Sequence, residues 1–395
     1  MSKKELRAAE AVAKVSAGRM TAVEAAASLG VTDRTVRRMK AKVRRGGIAA
    51  LAHRGRGRPG NRAMPKRERR KMEKALKERY PDFRPGFAAE KLRELHGIDR
   101  DPKTVASVMA ALGLWIPRRG KAAAAHRMWR ERRARQGELL QYDGSYHPWL
   151  EARLPGPGGL PAELCLLAAI DDATGTVPQA EIAEHEGVLP TLAFWRGYAE
   201  NRGLPEAVYL DKFSTYKVNA RVAAENPDTR TQFGRVMASL GVKVIFANSP
   251  QAKGRVERLF RTLQDRLVKE LRLRGVSTVE EANRFIRDVF LPAFNRRFGR
   301  PAREAGDRHR KLAADERRRL GQIFCREDWR TLTNDFTVPH GPLWYQLLPS
   351  PRLALRPKDR VCVRTGPDGR VTLWVREKPA NFRVVEKGRP TGGAD

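Results

Sequence analysis

The sequence predicts a multidomain protein: helical helix-turn-helix N-terminal domains, then an α/β core, then a small C-terminal β-barrel. Three observations carry this prediction. Apolar residues recur at helical spacing up to position 116, strand-like and helix-like runs alternate from position 137, and short β-like runs with turn signals follow position 320. At 395 residues the chain has room for two to four domains of roughly 100–200 residues each.

Charge narrows the partner. Lys plus Arg number 79 against 45 Asp plus Glu, a formal net charge of +34, which favours a polyanion and above all nucleic acid. A basic membrane-surface protein would share that charge. No run approaches the 18 or more apolar residues of a spanning helix and the N-terminus lacks a secretory apolar region, so the expected setting is cytoplasmic with no membrane partner. Cys165, Cys325 and Cys362 form no CxxC pair, and the histidines show no zinc spacing. The cysteines read as buried apolar residues, and any essential metal has to be held by oxygen.

The first domain, 1–52, contains helices over 21–29 and 33–44 joined by Gly30-Val31-Thr32. Thr21 with Glu24 makes a capping box, Gly30 supplies a left-handed residue, and Thr32 or Asp33 caps the next helix. Val36, Met39 and Val43 bury one face and leave Arg34, Arg37, Arg38, Lys40 and Arg44 on the others, as a helix entering a major groove requires. A small helical bundle with a solvated cationic face is the alternative. The Arg/Gly/Pro-rich stretch 53–64 reads as a basic linker whose Arg56 and Arg58 are further DNA-contact candidates.

A second helix-turn-helix-like domain spans 65–116, with helices over 66–80, 87–96 and 102–112; Gly97 ends the second, and Asp101 with Pro102 opens the third. Its third helix carries few basic residues apart from Lys103, so packing or dimerising competes with DNA contact. An Arg-rich linker, 117–136, follows, with Arg118 and Arg119 as DNA-contact candidates against a plain solvated charge run.

In the core, 137–300, strands are expected over 139–143, 164–170, 177–182, 207–211 and 242–246, and helices over 189–201, 229–240, 250–272 and 279–298. Three strands, then helix, strand, helix, strand, helix is the order of an RNase H-like α/β domain. After a linker, 301–320, the region 321–388 shows β-like runs over 336–338, 343–348, 360–364 and 370–376, the last two joined by Gly366-Pro367-Asp368-Gly369. A small barrel is the economical reading, with Trp344, Tyr345 and Trp374 either in its core or meeting DNA; 389–395 is a tail.

Three acids carry the chemistry. Asp143 is expected to end the first core strand before Gly144, Asp211 to end a later strand, and Glu257 to lie in the first turns of the long helix, at the edge of a buried stripe of Val256, Leu259, Phe260, Leu263 and Leu267. A doubly wound core brings such positions together. Clustered carboxylates amid excess positive charge call for cations, and hard oxygen ligands suit Mg2+ or Mn2+. Two ions about 3.5–4 Å apart serve in-line displacement at phosphorus. Singly, each acid also reads as a turn, a cap or a solvated helix residue.

Three blocks join these readings: Gln141-Tyr142-Asp143-Gly144-Ser145, Leu210-Asp211-Lys212-Phe213-Ser214, and Asn248-Ser249-Pro250-Gln251-Ala252-Lys253-Gly254-Arg255-Val256-Glu257-Arg258. They resemble the catalytic blocks of the integrase-type Asp-Asp-Glu transposases, most nearly insertion-sequence transposases of the ISNCY type, which share an Ile-Asp-Asp-Ala-Thr-Gly segment, here 170–175. Phe213 departs from the pattern, which has His there. The resemblance implies a retroviral-integrase-like core in which Asp143, Asp211 and Glu257 are catalytic metal ligands. It further implies that one strand is hydrolysed at each element end, and that the freed 3′-hydroxyl attacks target DNA. It also implies a prokaryotic, nucleoid-associated protein acting as a homodimer or higher oligomer on double-stranded DNA, both terminal repeats and target.

Around this site Lys212, Asn248, Ser249, Gln251, Lys253, Arg255 and Arg261 are candidates for phosphate contact. Asp171 and Asp172 lie between two expected strands and read as a hairpin turn rather than as extra ligands. The competing functions are a catalytically silent, transposase-derived DNA-binding repressor and a nuclease without strand transfer.

Overall fold

A computed structural model describes residues 1–53, 64–117, 131–210, 232–246, 254–351 and 353–386. The chain divides into two compact units, 1–117 and 118–395. Among the described residues no helix is long and apolar enough to cross a membrane.

In the first unit, α1 (Lys3–Ser16), α2 (Ala22–Leu29) and α3 (Asp33–Gly46) pack around Ala11, Ala25, Ala26 and Val36, small side chains that let the helices approach closely. The capping box at α2 is present: Glu24 N donates to Thr21 Oγ1 at 3.2 Å, and Thr21 N donates to Glu24 Oε2 at 2.8 Å. Gly30 is left-handed at φ 65°, a conformation that costs a residue with a Cβ. Thr32 caps α3 through Thr35 N at 3.3 Å. A second trio, α4 (Lys66–Arg79), α5 (Pro85–His96) and α6 (Pro102–Ala111), follows, with Asp101 capping α6 and the bidentate pair Arg100–Glu68 at 2.7 and 2.8 Å.

The second unit is built on β1 (Leu140–His147), β2 (Leu164–Asp171), β3 (Gln179–Ala183), β4 (Ala207–Leu210) and β5 (Lys243–Phe246). Among the described residues these form a sheet of order β3-β2-β1-β4-β5. β1, β2 and β3 are antiparallel, and β4 and β5 run parallel to β1. This is the RNase H-like arrangement that the order of elements predicted.

Side-chain alternation divides the sheet into two faces. Leu140, Tyr142, Cys165 and Leu167 enter one core with α7 (Val188–Arg202) and α8 (Gln232–Ser239). Leu166, Ala168 and Ile170 enter the other, covered by α9 (Gly254–Leu273), α10 (Val279–Phe285) and α11 (Leu291–Phe298). The helix expected over 279–298 is continuous but passes through a π turn, Ile286–Phe290. On either side of that turn, Asn283 and Asn295 each use their amide on backbone beside β3, at Ile182 (2.7 and 2.9 Å) and Val177 (2.7 and 2.8 Å). They thereby cover part of a sheet edge.

The C-terminal strands are β6 (Arg326–Thr331), β7 (Thr337–His340), β8 (Leu343–Leu347), β9 (Arg360–Thr365), β10 (Val371–Val375), β11 (Lys378–Ala380) and β12 (Phe382–Val385). Among the described residues they form two sheets, β11-β10-β9-β6 and β12-β8-β7, and no closed barrel. Val361, Val363, Leu373 and Val375 of one sheet meet Val338, Tyr345 and Leu347 of the other in a shared core, so packing joins the sheets where hydrogen bonding does not. Of the three aromatics left open between core and DNA, Tyr345 is buried there, whereas Trp344 and Trp374 are half-buried.

This module is fastened to the core. Gln232 on α8 exchanges two hydrogen bonds with the Glu327 backbone, at 2.7 and 2.9 Å. The stretch expected as a free linker, 301–320, also packs on the core: Leu204 and Arg310 exchange backbone bonds at 2.7 and 2.8 Å, and Leu312 and Leu320 are buried.

Candidate active site

Asp143 stands in the middle of β1, not at its end: the strand runs on to His147, paired with β2 throughout. Gly144 is therefore a strand residue rather than a turn. A Cβ there would meet Glu186 Oε2 at 2.8 Å and Cys165 Sγ at 2.9 Å, so glycine is used for space. Since Leu140 and Tyr142 face the α7/α8 core, alternation sends Gln141, Asp143 and Ser145 to the opposite face, the one α9 covers. The register agrees, because Asp143 pairs with Ala168 of the α9-side core.

Along α9 the expected stripe of Val256, Leu259, Phe260, Leu263 and Leu267 is buried, and Glu257, beside Val256, is exposed. Two contacts fix the helix along β1. Near its start Arg255 pairs with Asp172, whose Oδ1 also accepts from Gln141 Nε2 at 2.9 Å; further on, Gln264 Nε2 reaches Ser145 Oγ at 3.2 Å. The helix therefore runs in the direction of β1. Glu257 precedes Gln264 by about two turns, within about 20° of the same azimuth and about 10.5 Å back along the axis. At about 3.3 Å per strand residue, that is about three residues before Ser145, beside positions 141–143.

Asp211, the third acid, lies outside the described residues, as do Lys212, Asn248, Ser249, Gln251 and Lys253. Leu210, the residue before Asp211, is the last described residue of β4, which lies alongside β1 in the register Leu140 to Val208 and Gln141 to Tyr209. Among the described residues no group of three His, Cys, Asp or Glu is placed to hold a metal ion. Asp143 and Glu257 are carboxylates, so the donor chemistry fits a hard, oxygen-seeking divalent cation. The thiols do not compete. All three cysteines are buried, and burial pushes Cys165 up to about 12 and Cys362 up to about 11.

The buried acids beside this site behave differently. Asp171 ends β2 and Asp172 opens the β2–β3 turn, with Gly175 left-handed at φ 67°. Asp171 Oδ1 accepts from Thr174 N and Thr174 Oγ1, both at 2.8 Å, and its Oδ2 accepts from Gly137 N at 2.9 Å. Asp172, with 0% exposure, also accepts from Arg133 N at 2.9 Å. Sequence reasoning missed this second role of the turn, as an anchor.

Of the expected DNA-contact residues, Arg34, Arg37, Arg38, Lys40 and Arg44 are exposed on α3, with Arg37 also 3.3 Å from Asp33. Arg261 is exposed on α9, whereas Arg255 turns inward to Asp172. Arg56, Arg58, Arg118 and Arg119 lie outside the described residues. The described end of the Arg-rich linker is docked rather than solvated: Arg132 Nη1 donates to the Asp172 and Ala173 carbonyls at 3.1 and 3.3 Å, and Arg135 pairs with Glu304 at 3.1 Å.

Residues 9–69 match the winged helix-turn-helix family model. The chain is 40% identical over 332 residues, 84% of its length and 70% of the relative's, to y4bF of Sinorhizobium fredii, a protein named as a transposase. It is 27% identical over 326 residues, 72% of its length and 66% of the relative's, to the transposase for insertion sequence IS1202 of Streptococcus pneumoniae. Among solved structures, the HTLV-2 integrase catalytic core domain in complex with magnesium aligns at 16% identity and a TM-score of 0.27, over 39% of this chain and 84% of that one. A simian T-cell lymphotropic virus intasome aligns at 14% identity and a TM-score of 0.32, over 75% of this chain and 99% of that one.

Proposed function

This chain belongs to the insertion-sequence transposases, and from that premise we propose that it binds the terminal inverted repeats of its element, cleaves the DNA there and joins the 3′-hydroxyl ends to target DNA. One observation carries the catalytic part: Asp143 faces α9 from the middle of β1, while the Arg255–Asp172 and Gln264–Ser145 contacts align the turn bearing Glu257 with that stretch.

Asp143, Glu257 and Asp211 are the residues that hold Mg2+ or Mn2+ in this reading. Two such ions, when bound, activate the attacking oxygen and stabilise the leaving oxygen during displacement at phosphorus. A strand and a long helix are rigid supports for the first two acids, so little reorganisation is needed at the moment of reaction. In the first step water attacks a phosphodiester and the 3′-oxygen leaves; in the second that 3′-hydroxyl attacks a target phosphodiester, forming one phosphorus–oxygen bond as another breaks. The exposed cations of α3 hold end DNA, with Lys212, Lys253 and Arg261 as phosphate contacts near the site. Two or more copies hold the two ends.

The test is incubation of the full chain with duplex bearing its element's terminal repeat, and separately with the same end pre-cut to expose a 3′-hydroxyl, in Mg2+ or Mn2+. Nicking of the first and branched product from the second are expected. Binding without nicking would leave a repressor, and nicking without branched product a nuclease.

A further inference from the structure

The Asp172 carboxylate has no solvent exposure, yet it gathers donors from three segments distant in sequence. Gln141 Nε2 comes from β1, two residues before Asp143; the Arg133 backbone N–H comes from the stretch leading into the core; and the Arg255 guanidinium comes from the first turn of α9, two residues before Glu257. Gln141 gives up something for this. With its amide turned to Asp172, its buried Oε1 takes no hydrogen bond among the described residues, and a buried acceptor of that kind asks for a functional explanation.

The charges point the same way. Arg132 lies close enough to Arg300, Arg255 and Arg258 for their charges to oppose its own, with Asp172 as countercharge. A carboxylate fixed beneath several guanidiniums holds them inward; without it, their mutual repulsion drives them apart. The first described turn of α9 contains Gly254, a poor helix former, and carries Glu257 on its exposed side.

We propose that Asp172 is a positioning residue: through Arg255 it sets the rotation of the first turn of α9, and so the placement of Glu257 against Asp143 on β1. The proposal rests on the catalytic reading of those two acids. A rotation of about 10° moves an atom about 6 Å from the helix axis by about 1 Å, and a misplacement of that size costs about a hundredfold in rate. Asp172 itself touches neither ion nor DNA.

The experiment uses the full chain and two readouts: the rise in Tm caused by Mn2+ alone, and the rate of nicking of terminal-repeat duplex. Arg255→Met and Asp172→Asn are expected to need at least tenfold more Mn2+ for the same rise and to nick about a hundredfold more slowly. Arg255→Lys, which keeps the charge without the planar fork, is expected to recover part of both. Should Asp172→Asn fail to fold, Arg255→Met decides alone.

A purely structural role would lower Tm equally with and without Mn2+ and leave the nicking rate of the folded protein unchanged, and that result overturns the proposal. Glu257→Gln separates the two levels. If it loses both the Mn2+ response and nicking while Arg255→Met keeps both, only the positioning role falls. If Glu257→Gln itself keeps both, the catalytic reading falls and the positioning role with it.

Discussion

Asp172 and Glu257 are acids on the same side of one sheet, linked by a short stretch of α9, and the fold treats them in opposite ways. Asp172 is fully buried and surrounded by protein donors; Glu257 is open to solvent at the edge of the helix stripe. Taking a carboxylate out of water is costly unless it is paired and hydrogen-bonded, so the donors around Asp172 mark it as part of the framework. An acid left accessible on a rigid support is instead available to something arriving from outside. Adjacency in the fold therefore does not make acids equivalent, and their hydrogen-bond partners tell the two kinds apart.

The largest expected effect tests the accessible side of this contrast. Asp143→Asn and Glu257→Gln should each lower end nicking and strand transfer by about a hundredfold or more, with end-DNA affinity within about threefold of the parent because phosphate contacts dominate it. Rates at saturating DNA, beside gel-shift titrations, check both halves. The buried side should answer in stability as well as in rate. Asp172→Leu removes the carboxylate that Arg255 pairs with, and breaking a buried pair in this way costs about 3–5 kcal/mol; a fall in Tm of roughly 10 °C in calorimetry is expected.

Gly144→Ala is a finer probe. It crowds Glu186 and Cys165 from the strand that carries Asp143, on the opposite face, and overpacking there should cost about 1–3 kcal/mol. Nicking by the protein that stays folded should change little, which urea melts and rate assays together would show. The smallest effect lies away from the core. Replacing Arg34 or Arg38 by Ala should weaken end binding for all sequences tested and reduce the slope of log K against log salt by up to about 0.9 per lost phosphate contact. A salt titration of each variant measures it.

Much of this was legible in the residues, for physical reasons that differ from place to place. Caps and left-handed glycines are local, so Thr21, Glu24, Gly30, Gly97 and Asp101 marked the helix ends of the first unit where the structure has them. β2 and β4 of the core were legible because they are apolar runs. β6 was not, since Arg326, Glu327 and Asp328 carry no apolar alternation and pair along β9 only after folding. The described residues show two sheets rather than a closed barrel, for a related reason. Closure depends on whether edge strands hydrogen-bond to one another, and composition does not encode that.

At the site, the face on which Asp143 lies followed from alternation, but the length of β1 did not. Gly144 looked like a turn because its close neighbours, Cys165 and Glu186, are remote in sequence. For Arg255, the basic block suggested DNA, and the partner it takes in the fold lies 83 residues away.

The central claim is that acids from separate blocks converge on shared cations. The most direct measurement is a crystal structure of the full chain on terminal-repeat DNA soaked in Mn2+, with the ions located by anomalous scattering. Two Mn2+ ions about 3.5–4 Å apart, bounded by carboxylate oxygens of Asp143, Asp211 and Glu257, are the predicted result. Ordered DNA with Mn2+ bound elsewhere, and with Asp143 and Glu257 too far apart to share an ion, would contradict it.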